Sequence, residues 1–333
     1  MTATSFGIPR GDATLEAVLR AGLEAVEVGL TAAVSSEAEF VNEAARHLLD
    51  AGGKRFRPLL VLLAAQFGVE DADAEAVVAA ALVVELTHVA TLYHDDVMDE
   101  ARLRRGAPSA NARFDNSVAI LTGDFLFAQA SDIVAGLGPE AVRIQARTFA
   151  RLVQGQIAET RGPAPGQDPL DHYLSVVADK TGSLIAASAR LGALTAGCSR
   201  HLQGVLTAFG ERIGTAFQLS DDILDVASAA TQSGKTPGTD LREGVATLPV
   251  LLFEGAPDAA DGRLRELLAG DLGDDALLGE ALTLLRGHPA MGQSRSYVVD
   301  RAEEARALLE QLPAGPPRDA LNDLCDLVVT RTA

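Results

Sequence analysis

Two acidic clusters of identical spacing constrain this chain more than any other feature. Asp95, Asp96 and Asp99 stand at i, i+1 and i+4 in LYHDDVMDEARLRR, and Asp221, Asp222 and Asp225 repeat the pattern in QLSDDILD. On a helix the first and last carboxylates of each cluster lie one above the other, roughly 5–6 Å apart at Cβ, and repel unless a cation sits between them. One such cluster could be a solvated acidic helix face, which is common in so acidic a chain. Two, each embedded in an apolar run, point to helices that face each other across a cavity and hold divalent ions bridging to a diphosphate. Magnesium suits that role, because it takes oxygen ligands, keeps waters, and accepts one or two carboxylates plus phosphate oxygens.

The remaining pattern is helical almost everywhere. Val142, Ala146, Phe149, Val153 and Ile157 mark one helix face, and Val298, Ala302, Ala305, Leu309 and Leu312 mark another. Ser36 with Glu39 three residues on predicts a capping box for a helix running toward Leu49. Breaks fall at Gly52-Gly53, Gly136 to Pro139, Gly162 to Pro169 and Gly234 to Gly244. They are loop-length, and neither an alternating strand nor an internal repeat is found. The 333 residues, 47% of them hydrophobic, therefore predict an all-α single domain over 1–333, a bundle of ten or more helices around a central active-site cavity. Helices from about Ala74 to Asp99 and from about Ser199 to Asp225 carry the clusters.

A net charge of −18, from 28 basic and 46 acidic residues, argues against nucleic-acid partners and against docking on anionic membranes. Cys198 and Cys325 are far apart and form no CxxC, so neither a disulfide framework nor a zinc site is indicated. The first residues lack the layout of a signal peptide. Ala76 to Tyr93 approaches membrane-spanning length but contains Glu85, His88 and two threonines, and reads as a buried core helix. A cytoplasmic protein without stable membrane insertion is expected.

Against 25 arginines stand three lysines, Lys54 in GGKRFRP, Lys180 in DKTGS and Lys235 in SGKTPG. A compact ammonium is not equivalent to the guanidinium fork, so three lysines beside glycine or threonine are candidates for phosphate contact. Gly234-Lys235-Thr236 is not a P-loop, since position 229 is alanine and no strand precedes it. Rossmann and nucleophile-elbow motifs are absent too.

Several blocks in order, GGKRFRP, HDDVMDE, RRG, GDFLFAQAS, GQIAE, KTGSL, FQLSDDILD and GKTPGTDLREGVATLP, resemble the trans-isoprenyl diphosphate synthases, the all-α head-to-tail prenyltransferases. The resemblance fades beyond about residue 255. It implies the isoprenoid synthase fold, a homodimer, and condensation of an allylic diphosphate with isopentenyl diphosphate. It further implies three magnesium ions per active site, held by Asp95, Asp99 and Asp221, with Asp96, Asp222 and Asp225 orienting ligand waters. Arg104, Lys180 and Lys235 would hold the allylic diphosphate, and Thr181 and Gln218 would turn dipoles toward the allylic cation. Lys54, Arg57, His88 and Arg105 would grip isopentenyl diphosphate. Arg55 and Arg102 are expected to be surface charges, and no role is assigned to Glu85 or Glu159. Asp115 stands where the family usually has glycine, and is expected to cost little.

Where shorter-chain members of the family carry a bulky aromatic before the first cluster, this chain has Ala90 and Thr91, which implies an open tunnel and a product longer than geranylgeranyl diphosphate. Helical angles put Thr91, His88 and Val84 beneath Asp95 and Ala90 toward the flank, so Ala90 as floor rests on the resemblance. The far wall is assigned to the helix of Phe149 and Val153. A shorter-chain synthase, geranylgeranyl or farnesyl, is the alternative within the family, and three rivals stand outside it: a class I terpene cyclase, whose second motif mixes Asn, Ser or Thr with Glu, a regulatory subunit, which normally loses a cluster, and a helical metal-binding or scaffold protein. A plain helical metal-binding or scaffold protein would show no magnesium-dependent affinity for isopentenyl diphosphate.

Overall fold

The structure is a computed structural model that describes residues 12–228, 237–255 and 261–332. Residue contacts divide the chain into two compact units: Met1–Ala150 with Leu184–Gly210 and Leu308–Asp323, and Arg151–Ser183 with Glu211–Ala307 and Leu324–Ala333. In chain order come α1 (Ala13–Ala33), α2 (Glu39–Asp50), α3 (Phe56–Ala65), α4 (Ala74–Met98), β1 (Leu103–Arg104), β2 (Ala107–Pro108), α5 (Ala110–Phe114), α6 (Asn116–Gly136) and α7 (Pro139–Arg161). Then follow α8 (Pro169–Val177), a π-turn (Ala178–Gly182), α9 (Ser183–Thr195), α10 (Arg200–Ala227), α11 (Thr239–Arg242), α12 (Leu248–Gly255), α13 (Gly262–Leu268), α14 (Asp275–Gly287), α15 (Pro289–Leu309) and α16 (Pro316–Thr330). The all-α expectation holds, and the β1–β2 hairpin is the only sheet among the described residues.

The first unit is organised on α4. Asp73 caps it by accepting from the amides of Glu75 at 2.9 Å and Ala76 at 3.3 Å, which is worth about 1 kcal/mol. The helix is apolar nearly all round, as a fully buried helix must be, and it packs chiefly against α6 and α3. Both α4 and α6 are long and apolar enough to cross a bilayer, yet 61% of the apolar window of α4 is buried inside the protein, as a core helix requires. Gly123 of α6 lets the two approach, because a Cβ there would lie 3.1 Å from the Ala90 carbonyl oxygen and closer still to His94.

One local expectation changes. The capping box does not form; instead the Asn42 side chain bonds both the amide and the carbonyl of Ser36, each at 2.6 Å. A side chain inside the helix thus does what Glu39 was to do. The apolar stripe of α7 faces outward, with Val142, Val153 and Ile157 at 40%, 37% and 54% exposure, while Ala141, Ile144 and Leu152 are buried. The C-terminal stripe, Val298 to Leu312, is buried throughout.

Candidate active site

The first aspartate cluster lies at the C-terminal end of α4, in the first unit. Asp99 is the C-cap, and Glu100 follows with φ 50. The amide of Ala101 reaches the Asp96 carbonyl at 3.0 Å and that of Glu100 the Val97 carbonyl at 3.4 Å, which closes a Schellman motif. Asp96 is buried and accepts from Arg104 Nε at 2.6 Å, while its Oδ2 is buried without a hydrogen-bond partner. Arg104 Nη2 lies 4.0 Å from Asp99 Oδ2, and Asp99 is exposed. Tyr93, one turn below, is fully buried and donates its hydroxyl to the Ala44 carbonyl at 2.5 Å.

Around His88 the same unit gathers Arg55, Arg57, Arg104 and Arg105. Burial, then the charges of Arg57, Arg105, Arg104 and Arg55, hold the His88 imidazole well below its ordinary pKa, so it is neutral at pH 7. Arg105 donates to the Leu48 carbonyl at 2.8 Å and also to that of Gly52, whose φ of 91 suits glycine. Arg57 is half-buried and Lys54 exposed. Arg55 is no surface charge: its side chain is 10% exposed and pairs with Glu27 at 2.6 Å and with the buried Glu85 at 3.0 Å. Arg102 is exposed, as expected. This cationic patch is suited to a polyanion.

Thr91 and Ala90 are both buried, and the Thr91 hydroxyl is spent on the His88 carbonyl at 2.7 Å. A narrow apolar void of about 10 Å³, room for one water at most, is lined by Val84 and Thr87 of α4, Thr148 of α7, and Leu184, Ala187 and Leu191 of α9. Ala90 does not line it.

The second cluster occupies the last turns of α10, in the second unit. Asp222 is buried, accepts from Tyr173 through one oxygen and from Gln218 Nε2 through the other at 2.9 Å. Burial raises its pKa to about 6, with Asp221 and Asp225 adding to the rise and the two donors opposing it. Gln218 Oε1 accepts from the Thr181 hydroxyl at 3.0 Å. Asp225 accepts from the amides of Thr239 at 3.2 Å and Asp240 at 3.1 Å. Asp221 pairs with Arg331. Lys180, on the π-turn, pairs with Glu159 at 2.6 Å. Arg151 braces that turn by bonding Asp179 and Glu211, both at 2.5 Å. Lys235 lies outside the described residues.

Both clusters thus end a long helix, where the backbone dipole adds to their negative potential. Among the described residues no three His, Cys, Asp or Glu side chains converge to hold a metal by themselves. The donors are nevertheless all hard carboxylate oxygens, with the buried Asp96 Oδ2 still to be satisfied, and magnesium needs few protein ligands when phosphate and water complete its shell. The residues fit a divalent ion held jointly with a diphosphate.

Sequence reasoning passed over Tyr93, Tyr173, Arg151 and Arg331. A signal existed for the tyrosines, since only three occur in the chain; Tyr173 bonds Asp222, and Tyr93 ties α4 to α2 one turn below Asp96. Arg331, 110 residues from its partner, left none.

A family model described as polyprenyl synthetase matches residues 38–285. A nonaprenyl diphosphate synthase of Mycobacterium tuberculosis is 51% identical, the match covering 98% of this chain and 97% of the relative. Among solved structures, a geranylgeranyl pyrophosphate synthase from Corynebacterium glutamicum, complexed with calcium and isoprenyl diphosphate, superposes with a TM-score of 0.86 at 43% identity over 97% of this chain and 98% of that one. A polyprenyl synthase from Caulobacter crescentus, with the same ligands, gives 0.87 at 33% identity over 98% and 100%.

Proposed function

Because the chain belongs to the polyprenyl synthetase family, we propose that it condenses an allylic diphosphate with isopentenyl diphosphate, head to tail and in trans, into a polyprenyl diphosphate longer than geranylgeranyl. The observation that carries the chemistry is a carboxylate cluster ending each of two long helices, every cluster backed by its own donors. The greater length is supported by the 51% identity to a nonaprenyl diphosphate synthase. A geranylgeranyl-length product is the second reading, favoured by the 43% identity to a geranylgeranyl pyrophosphate synthase of Corynebacterium glutamicum.

Asp95, Asp99 and Asp221 would hold three magnesium ions together with the allylic diphosphate, and Asp96, Asp222 and Asp225 would keep those ligands and their waters in register. The bound ions supply the positive charge that lets the diphosphate leave. Arg104, Lys180 and Lys235 hold the same diphosphate. The Thr181 hydroxyl donates a hydrogen bond to Gln218 Oε1, so its oxygen lone pairs are left as the negative end of a dipole for the allylic cation. Lys54, Arg57, His88 and Arg105 hold isopentenyl diphosphate; a neutral His88 can donate to a phosphate oxygen without adding charge to the four guanidiniums around it. The double bond then attacks the cation, and a proton passes to the released diphosphate. Ala90 and Thr91 belong to the helix segment that bounds the growing chain.

Residues 1–333 act as one catalytic domain, in the cytoplasm, where two free and buried cysteines are at ease. The working form is a homodimer, supported by the outward apolar stripe of α7 and by the exposed Ile120 and Leu121 of α6. The test is incubation of purified protein with magnesium, labelled isopentenyl diphosphate and farnesyl or geranylgeranyl diphosphate, followed by chromatography of the dephosphorylated products. A ladder ending well beyond geranylgeraniol is expected. A ladder stopping at geranylgeraniol selects the second reading, and no incorporation with any primer sinks both.

A further inference from the structure

The second cluster already has a cation of its own. Arg331 follows the last turn of α16 and pairs with Asp221 Oδ1, and its Cζ lies 4.6 Å from the centre of the Phe217 ring. Phe217 and Asp221 are four apart on α10, so one guanidinium covers both on one helix face. The side chain is only 16% exposed. Its other terminal nitrogen, Nη1, is buried without a hydrogen-bond partner, an unspent donor that a solvated surface pair would not carry. The C-terminus that carries it is pinned, because Arg295 Nε donates to the Thr332 carbonyl at 2.6 Å and Thr332 is buried.

The three carboxylates differ in what holds them. Asp222 is taken by Tyr173 and Gln218, and Asp225 accepts from two backbone amides. Asp221 is paired with a full charge, the Arg331 guanidinium, beside the negative end of α10. Resting on the reading of Asp221 as a metal ligand, we infer that Arg331 is the resident counter-cation of Asp221 and that divalent cations bind there by displacing it. The guanidinium neutralises the carboxylate while no metal is present.

The test compares wild type with Arg331→Met, which keeps an apolar stem over Phe217, and with Arg331→Lys, which keeps a cation. Binding of manganese(II) with inorganic pyrophosphate is followed by calorimetry and by electron paramagnetic resonance. Removing a competing ion pair of this exposure should tighten manganese binding about two- to fivefold in Arg331→Met. Arg331→Lys should stay near wild type, and the gain should vanish in Arg331→Met/Asp221→Asn. Equal or weaker binding by Arg331→Met overturns the displacement. If wild type takes up no manganese with pyrophosphate, the metal reading falls and the displacement with it. Hydrogen exchange on the unmodified protein gives a check independent of any variant: amides of Leu327 to Thr332 should exchange faster once manganese and pyrophosphate are bound, and slower or unchanged exchange overturns the inference.

Discussion

Asp115 holds a φ of 77, in backbone space that side chains rarely enter, and its carboxylate accepts from the Val118 amide at 3.0 Å to cap α6. Such a conformation costs on the order of 1–3 kcal/mol, whereas replacing a capping carboxylate by glycine loses only a few tenths. The small cost expected of an aspartate in the family's glycine position therefore becomes a measurable one. Asp115→Gly should raise stability by about 1 kcal/mol, read as a higher urea midpoint with unchanged turnover; a lower midpoint would mean the cap outweighs the strain. Arg55, Glu100 and Arg105 also hold positive φ, and they border the first cluster and the cationic patch, where binding geometry can justify the strain. His88 shows the electrostatic side of that patch. Its folded pKa lies below the unfolded value near 6.5, so the stability it confers is fully present above that value and is lost as pH falls below it. Between pH 7.5 and 5.5 the urea midpoint of wild type should fall more steeply than that of His88→Gln, and pyrophosphate should narrow the gap by neutralising the guanidiniums. Parallel slopes would dissociate His88 from the patch.

Placing carboxylates at the C-terminal ends of α4 and α10 works against helix stability, because the dipole there is already negative and neither last turn carries a basic residue. Asp99 is exposed, so Asp99→Asn should stabilise the metal-free protein by a few tenths of a kcal/mol while lowering turnover at least about a hundredfold. Thermal melts beside the prenyl assay would separate the two effects, and undiminished turnover would remove Asp99 from the metal site. The tunnel belongs to this scale as well. Ala90 is fully buried on the side where α4 meets α6, whereas Thr87 borders the void. Ala90→Phe should shorten the main product at about 1–3 kcal/mol of overpacking, and Thr87→Phe, which fills the void, probes the neighbouring wall; a ladder unaltered by Ala90→Phe would place the floor elsewhere. The bounds of α4 and α10 were legible in the sequence because both are long, apolar and marked by the clusters themselves. The direction of the α7 stripe was not, since Val142, Val153 and Ile157 show the same period whether they face a core or a partner. The capping of α2 was missed because Asn42 competes for the backbone groups that Glu39 was to serve.

At the scale of the whole molecule, a net charge of −18 sets the conditions under which two copies can meet. Like-charged chains repel over a Debye length of about 30 Å at 0.01 M salt but only about 8 Å at 0.15 M. The surfaces proposed for pairing, Ile120 and Leu121 on α6 and Val142, Val153 and Ile157 on α7, are aliphatic and would gain from burial regardless of salt. A dimer held by ion pairs would loosen as salt rises; one held by these stripes against global repulsion should tighten. Sedimentation equilibrium between 0.01 and 0.3 M sodium chloride should therefore show the dimer dissociation constant falling with ionic strength. Leu121, 66% exposed, is the site to perturb. Leu121→Asp adds a charge on each copy and removes apolar surface, and it should shift the protein toward monomer at every salt concentration while the isolated chain keeps its helical circular dichroism. A dimer indifferent to Leu121→Asp would place the interface elsewhere, and a dimer weakened by salt would make it polar.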